Sequence, residues 1–289
     1  MAAQARIAFA RAVAAERLAS IAEDELALAR ESARIAVRRS DVGDGTRLEV
    51  SAAQVEVGLA LREMSISRNR LEAARAELRL VAGLPPGDPL PLAGGTKPAR
   101  APMLRDPDAV ERAVAGRSDV VALRRELDAA RAEEQFAARE WLPQPRVGAI
   151  FAREEGANIF LGTVSFELPL WNQNVAGRGV ASAHVVRAGK ELEAAERRAR
   201  QEVLLAEARP GTAKEAARAF DEGVVNAAKE SVALTTRAYE AGKIRLVDLL
   251  LMRRSALEAW RGEVAALEEL AEAEAELLRA LGRVQPEGA

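Results

Sequence analysis

Apolar residues recur at seven-residue spacing in three long stretches of the chain. The first stretch contains Ile7, Ala14, Ile21, Leu28 and Ile35, the second Val50, Val57, Met64, Leu71 and Leu78, and the third Leu250, Leu257, Val264, Ala271 and Leu278. A seven-residue period is typical of long helices that pack through left-handed coiled-coil seams. The pattern predicts helices over residues 2–39, 46–82 and about 245–281, with the first two packed antiparallel through matching seams.

Two short turns that contain glycine separate these helices. Gly43 lies between the first two helices, and Gly242 follows Tyr239-Glu240-Ala241 just before the last one. Glycine adopts positive φ without steric penalty, so each glycine is predicted to end the preceding helix. Placing Gly43 on Gly242 gives an offset of 199 residues, and the same offset places Gly83 on Gly282 without a gap. This conserved spacing indicates an internal duplication of a long helical hairpin.

Prolines divide the two copies. Seven prolines, at positions 85, 86, 89, 91, 98, 102 and 107, exclude a helix or a central strand between Gly83 and residue 107. We therefore predict a first repeat at 1–83, a Pro-rich linker at 84–107, a second repeat at 108–282 and a tail at 283–289. In the second repeat, Pro210-Gly211 is expected to kink or break a long helix from about 176 to 239.

Strict alternation of side chains occurs only between residues 146 and 168. Val147, Ala149 and Phe151 alternate with Arg146, Gly148 and Ile150, and after a polar turn at 153–158 Phe160, Gly162, Val164, Phe166 and Leu168 alternate with Ile159, Leu161, Thr163, Ser165 and Glu167. This pattern predicts a β-hairpin. Its second strand of about ten residues has the length that crosses a bilayer when tilted. Because an isolated hairpin is barely stable in water, it either pairs with further strands or is covered by helices as in a soluble protein.

Composition narrows the classes of function. The 289 residues include 42 basic and 44 acidic side chains, interleaved along the helices, which argues against binding of nucleic acid. The chain has no cysteine and one histidine, His184, so no metal site and no cofactor is predicted. No catalytic cluster or phosphate-binding loop occurs, and we expect no enzyme. The segment Met1–Arg17 lacks the apolar core of a signal peptide.

Four motifs follow one another in a fixed order. They are Leu80–Pro85, Arg117–Val120 continuing to Leu142-Pro143, Phe166–Asn174, and Tyr239–Gly242 followed by Leu246–Leu250. Together they resemble the outer-membrane efflux protein family, the TolC-like channels of Gram-negative tripartite pumps and type I secretion. The third motif is similar to an element of the CzcC-like heavy-metal branch. The resemblance implies a mainly α protomer with long antiparallel coiled-coil helical hairpins in two repeats and one β-hairpin, the TolC-like α-barrel and β-barrel fold.

This resemblance implies a homotrimer in the outer membrane and periplasm. Each protomer would lend strands to a β-barrel in outer-membrane lipid and helices to a periplasmic tunnel. The implied partners are a periplasmic adaptor (membrane fusion) protein and an inner-membrane pump, and the implied function is passive export of metal ions or small toxic compounds. Family members begin with a signal peptide, a helix and a first strand pair before the position of Met1, so an N-terminal truncation is expected. The alternative is a periplasmic coiled-coil adaptor or scaffold without channel activity.

The resemblance also implies functional residues. Gly43 and Gly242 would lie at the periplasmic tips, with Glu49 and Asp248 at the tunnel mouth, where three copies of each would attract cations. Alternatively, each acid is a carboxylate in the first turn of a helix, which the helix dipole favours. The two interpretations are compatible. The membrane face of the hairpin is assigned to Phe151, Phe160, Val164, Phe166 and Leu168.

Overall fold

The computed structural model describes residues 2–92, 107–140, 145–154, 156–166, 174–220 and 222–282. In these ranges the elements are α1 (Ala2–Asp41), α2 (Arg47–Ala82), α3 (Pro107–Gly116), α4 (Ser118–Arg139), β1 (Pro145–Glu154), β2 (Ala157–Phe166), α5 (Val175–Ala219), α6 (Glu222–Glu240) and α7 (Leu246–Ala280). The two strands form one antiparallel sheet. The predicted fold class, mainly helical with one β-hairpin, is therefore confirmed. None of the described helices is both long and apolar enough to span a bilayer.

The chain divides into two compact units. The first, which we call the tip unit, comprises Met1–Pro107 and Glu202–Ala289 and contains α1, α2, the end of α5, α6 and α7. The second, the strand unit, comprises Asp108–Gln201 and contains α4, the β-hairpin and the beginning of α5. In the strand unit α4 and α5 pack through Leu127, Ala130 and Ala188.

In the tip unit, α1 packs against both α2 and α7. Its contacts with α2 use Ala8, Ala12, Leu26 and Ala29, and its contacts with α7 use Ala14 and Ile21 against Val264. The predicted antiparallel packing of α1 on α2 is confirmed, and Val57, Met64 and Leu78 of the predicted α2 stripe lie against α1. The prediction is wrong for part of the α1 stripe, because Ala14 and Ile21 contact α7. A second stripe rich in alanine faces α2. The helix buries two stripes because it has a neighbour on each side.

The helix ends repeat with the offset predicted from the sequence. Gly43 and Gly242 have φ of +81° and +71°, and Gly83 and Gly282 have φ of +70° and +68°. The equivalent hydrogen bonds run from Asp44 N to Arg39 O and from Lys243 N to Ala238 O, both 2.9 Å long. Such bonds define the Schellman motif, which closes a helix through a residue of left-handed conformation. Corresponding positions of the two copies therefore share one backbone conformation.

A break at Pro210-Gly211, one of the two outcomes predicted there, does not occur, and the other outcome, a kink, stays a prediction. Helix α5 continues through Pro210 and ends at Ala219. Proline removes one backbone donor from the helix, and in the same turn Thr212 Oγ1 donates a hydrogen bond of 3.0 Å to the carbonyl of Arg209. At the actual end, the ring of Phe220 lies against Gly262 of α7, where a Cβ would come within 2.6 Å of the ring.

The β-hairpin is longer than its sequence pattern suggests. Its strands pair over ten residues each, from Pro145 opposite Phe166 to Glu154 opposite Ala157. The predicted turn at 153–158 is therefore too long, because Arg153 and Asn158 still pair in the ladder. Gly156, with φ of +87°, supplies the positive φ at the tight connection.

Glu274 is a buried carboxyl group on α7. Glu274 is 8% exposed, and its Oε2 atom has no hydrogen-bond partner among the described residues. Burial raises the pKa of Glu274 to about 7, and the positive charge of Lys214 on α5 opposes this shift. The folded protein therefore retains a proton that the unfolded chain, with an ordinary pKa near 4.5, releases.

We expect Glu274 to make the folded state less stable as the pH rises from about 4.5 to about 7. Near pH 4 the Glu274→Gln variant should have the same free energy of unfolding as the parent protein. Near pH 8 its free energy of unfolding should be roughly 2–3 kcal/mol higher than that of the parent protein. Urea denaturation at both pH values measures the difference. The matched control is Glu276→Gln, since Glu276 pairs with Arg209 at the surface. An identical pH dependence in both variants would contradict the assignment.

Candidate functional site

Four helix ends converge in the tip unit. They are the C-termini of α1 and α6 and the N-termini of α2 and α7, and they share one apolar cluster of Ile35, Ala36, Ala53, Tyr239, Leu246 and Leu249. We call this cluster the tip core. Tyr239 is fully buried at 0% exposure. Because the cluster draws on both helical hairpins, it holds the turns of Gly43 and Gly242 in one structure, which the sequence pattern alone does not predict.

Arg39, at the end of α1, connects the two turns. Its Nη1 donates to the carbonyl oxygen of Tyr239 at 3.2 Å, and its Nη2 donates to the carbonyl oxygen of Asp44 at 3.2 Å. The guanidinium carbon also lies 4.9 Å from the centre of the Tyr239 ring, in cation–π geometry. One arginine therefore binds carbonyl oxygens from both hairpins, that of Tyr239 in the last turn of α6 and that of Asp44 in the turn after α1.

The sequence pattern does not single out Arg39, because it is one of many basic residues on the helices. The available signal was its position in the last turn of α1 beside a glycine turn, where a basic side chain reaches free carbonyls. Its neighbour Arg38 pairs with Glu240 of α6 at 3.1 Å.

Asp248 lies in the first turn of α7 and caps that helix. Its Oδ2 accepts a hydrogen bond of 3.1 Å from the backbone N–H of Arg245 and one of 3.3 Å from the Nε of the same residue. The Arg245 side chain, and then its backbone N–H, hold the pKa of Asp248 below the usual value. The carboxylate is thus ionised at neutral pH, and a neighbouring arginine offsets its charge.

Glu49 occupies the equivalent position in α2 but has different surroundings. Its backbone N–H donates to Thr46 Oγ1 at 3.2 Å, so Thr46 caps the helix instead. Glu49 Oε2 and Tyr239 Oη are both buried without a hydrogen-bond partner among the described residues. Burial raises the pKa of Tyr239, and the charge of Glu49 raises it further. The two predicted acids are therefore not equivalent, since Glu49 faces the tip core.

The two turns together are close to electrically neutral. Residues 38–49 and 237–248 contain six basic and five acidic side chains. The predicted acidic residues Glu49 and Asp248 thus lie in a mixed environment and do not form an acidic patch within one protomer. Within the part of the chain that the structure describes, no cluster of acidic and histidine side chains could hold a metal ion.

One side of the β-hairpin is apolar from the pair Pro145 and Phe166 to the pair Phe151 and Phe160, and we call it the aromatic face. Directly opposed residues of an antiparallel pair lie on the same face, so the register groups Val147 with Val164 and Phe151 with Phe160. The two phenylalanine rings are 4.7 Å apart between centroids, and Phe160 is 79% exposed. Phe166 lies on this face opposite Pro145, whereas Leu168 lies outside the described residues.

Asn174, the last residue of the third sequence motif, ties the start of α5 to the end of α4. It has a positive φ of 52°, and its Nδ2 donates to the carbonyl of Ala137 at 3.4 Å and to the carboxylate of Glu140. A Cβ at Gly177 would clash with the side-chain amide of Asn174. The sequence marked Asn174 as part of a motif without revealing this role.

These features define a class of protein with long duplicated helical hairpins and a membrane-length β-hairpin. The sequence model described as "Outer membrane efflux protein" matches residues 109–283, which is more than half of the chain. The chain belongs to this family. A comparison with curated protein sequences finds no match.

Solved structures share the fold at low sequence identity. A membrane protein from Pseudomonas aeruginosa is 22% identical with a TM-score of 0.80, and the alignment covers 99% of this chain and 67% of that protein. The outer membrane protein VceC of Vibrio cholerae is 17% identical with a TM-score of 0.74, covering 97% and 69%. The CmeC outer membrane channel of Campylobacter jejuni is 16% identical with a TM-score of 0.73, covering 97% and 62%. The chain thus spans about two thirds of the length of these proteins.

Proposed function

We propose that this chain is the protomer of a trimeric outer-membrane channel in a Gram-negative tripartite efflux system. One observation carries the proposal, namely that a hairpin with an exposed aromatic face is joined to long duplicated helices. Strands of ten residues, tilted in the usual way, match the thickness of the bilayer core. Backbone groups in lipid must pair within a closed barrel, so the hairpin requires strands from other copies of the chain.

The helices also require cover from neighbouring subunits. Exposed apolar side chains near the tip include Leu48 at 79%, Val55 at 62% and Leu59 at 53% on α2, and Val247 at 54% and Leu251 at 61% on α7. Large exposed apolar areas are typical of interaction surfaces. Three copies placed side by side would cover these positions and enclose a tunnel.

We further propose that the channel exports metal ions or small toxic compounds passively, together with a periplasmic adaptor and an inner-membrane pump. The proposal that the channel exports metal ions rests on the similarity of Phe166–Asn174 to the CzcC-like branch. The proposed channel performs no chemistry of its own, so we propose no enzymatic activity.

The decisive experiment is removal of the hairpin. Deletion of residues 145–166 should move the protein from the outer-membrane fraction to the soluble periplasmic fraction and abolish efflux measured as resistance in cells. Phe160→Asp should weaken membrane association strongly, because it places a charge on the aromatic face. Ser165→Asp, on the other face, is the matched control. Unchanged fractionation of the deletion variant would favour a periplasmic scaffold or adaptor instead.

We also propose that the tip forms the periplasmic entrance, with Asp248 and Glu49 at its mouth. Asp248→Lys should reduce the preference for cations over anions or weaken adaptor binding, because it reverses a charge at a narrow passage. Planar-bilayer reversal potentials and adaptor pull-down measure the two effects. Asp128→Lys is the matched control, since Asp128 also pairs with an arginine three residues away but lies in the strand unit. If both selectivity and binding stay unchanged in Asp248→Lys, the assignment is wrong.

A further inference from the structure

The second face of the β-hairpin changes character along its length. Its cross-strand pairs, from the open end toward the turn, are Arg146 with Ser165, Gly148 with Thr163, Ile150 with Leu161, Ala152 with Ile159, and Glu154 with Ala157. The first two pairs are polar or lack a side chain, the next two are apolar, and the last contains the acidic residue Glu154. The aromatic face shows no such change before its final pair, Arg153 and Asn158.

Side-chain size changes at the same point as polarity. Thr163 Oγ1 donates to the carbonyl of Gly148 at 3.3 Å, and a Cβ at position 148 would lie 2.7 Å from that hydroxyl. The side chains of the Gly148–Thr163 pair therefore project little from the sheet. The next pair projects two large side chains, Ile150 and Leu161, each 54% exposed.

The proposed channel function determines what each face of the hairpin contacts. In a membrane barrel, successive side chains point alternately to lipid and to the lumen. The aromatic face, with its valines and phenylalanines, is the better match to lipid. The second face, with Arg146, Thr163 and Ser165, then lines the lumen, where side chains are usually polar.

The apolar pairs Ile150–Leu161 and Ala152–Ile159 are therefore exceptions to the usual polarity of a lumen wall, and we ask what function they serve. Hydrophobic constrictions gate channels because water leaves a narrow apolar segment and hydrated ions lose their solvation there. The apolar pairs of each hairpin lie at one level, and symmetry would repeat them around the barrel.

We propose that Ile150, Leu161 and Ile159 form an apolar collar in the channel lumen near the hairpin turn. This collar narrows the passage and disfavours small hydrated ions relative to uncharged or amphiphilic compounds. The proposal rests on the proposed channel function, and it assigns a selectivity element to one face of the sheet.

Single-channel conductance of the purified full-length protein in planar bilayers tests the collar. The double variant Ile150→Gln/Leu161→Gln makes this pair polar at a similar side-chain volume and should raise ion conductance by about twofold or more. Thr163→Val extends the apolar surface toward the open end and should lower it. Val147→Thr makes a comparable change on the aromatic face and should leave the conductance of inserted channels unchanged.

The outcomes separate the collar from the channel itself. If the parent protein forms channels and both lumen variants conduct as it does, the collar is wrong while the channel function stands. A conductance rise in Val147→Thr instead of the double variant would show that the faces are assigned in reverse. If the parent protein forms no channels under conditions where it inserts into the bilayer, the proposed channel function and the proposed collar are both wrong.

Discussion

Tyr239→Ala should destabilise the tip unit by about 3–5 kcal/mol, whereas Tyr239→Phe should leave its stability unchanged or slightly higher. The ring is fully buried in the tip core. Truncation to alanine leaves a cavity among Ile35 and Leu249, and the surrounding helices can only partly close it. It also removes the aromatic face against which the Arg39 guanidinium packs.

The phenylalanine variant isolates the hydroxyl group. Tyr239 Oη is buried, and no described residue reaches it in normal hydrogen-bond geometry, although the Arg39 side chain lies near enough to oppose the rise of its pKa. Removal of the hydroxyl should therefore cost little and end a desolvation penalty. Chemical denaturation measures both variants, and limited proteolysis at the turns of Gly43 and Gly242 reports local opening of the tip. If Tyr239→Phe loses as much stability as Tyr239→Ala, the hydroxyl has a partner and the tip core requires revision.

The features that the sequence predicted best depend on local chemistry. Gly43 and Gly242 end helices because only glycine adopts positive φ freely, and this requirement is independent of tertiary contacts. The alternation over residues 146–166 likewise predicted which residues share each face of the hairpin, because side chains alternate with a period of two in any strand. The polar residues Arg153 and Asn158 were assigned to the turn because polarity does not distinguish a turn from an exposed ladder pair.

The features that the sequence missed depend on which elements meet. A heptad repeat identifies one helix face but does not name its partner, so the contact of the α1 heptad residues Ala14 and Ile21 with α7 was not predicted. The tip core and the bridging role of Arg39 join residues about 200 positions apart, as in the Arg39–Tyr239 hydrogen bond. The roles of Glu49 and Asp248 at a channel mouth remain predictions, whereas the structure shows both acids in the first turn of their helices.

Arg253 is the second residue whose loss should have a large effect. This arginine on α7 is 6% exposed, and its Nη1 donates to the carbonyl of Leu28 at 2.7 Å and to the hydroxyl of Ser32. Its Nη2 donates to Thr236 Oγ1 on α6 at 3.4 Å. One buried guanidinium therefore joins α1, α6 and α7 behind the tip core.

The burial of this cation has a cost that its hydrogen bonds offset. Burial lowers the pKa of Arg253 to about 10, and the charge of Glu56 opposes that shift, so the side chain stays charged at neutral pH. Hydrogen bonds from charged donors contribute more than neutral ones, roughly 1.5–3 kcal/mol each. If the guanidinium were removed, the hydroxyl of the buried Ser32 would lose this donor, whereas the carbonyl of Leu28, in the interior of α1, would keep its helical hydrogen bond.

We therefore expect Arg253→Ala to lower the free energy of unfolding by about 3 kcal/mol. Arg253→Gln should lose less, because an amide can still donate one hydrogen bond toward α1 without the desolvation cost of a charge. The adjacent Arg254→Ala is the matched control, since Arg254 is exposed and pairs with Glu258 of its own helix, a type of pair that contributes about 0.3–0.5 kcal/mol. Denaturation of the three variants at neutral pH measures the differences. Equal losses at positions 253 and 254 would mean that the buried guanidinium does not hold the helices together, and that tip stability depends on apolar packing around Tyr239 alone.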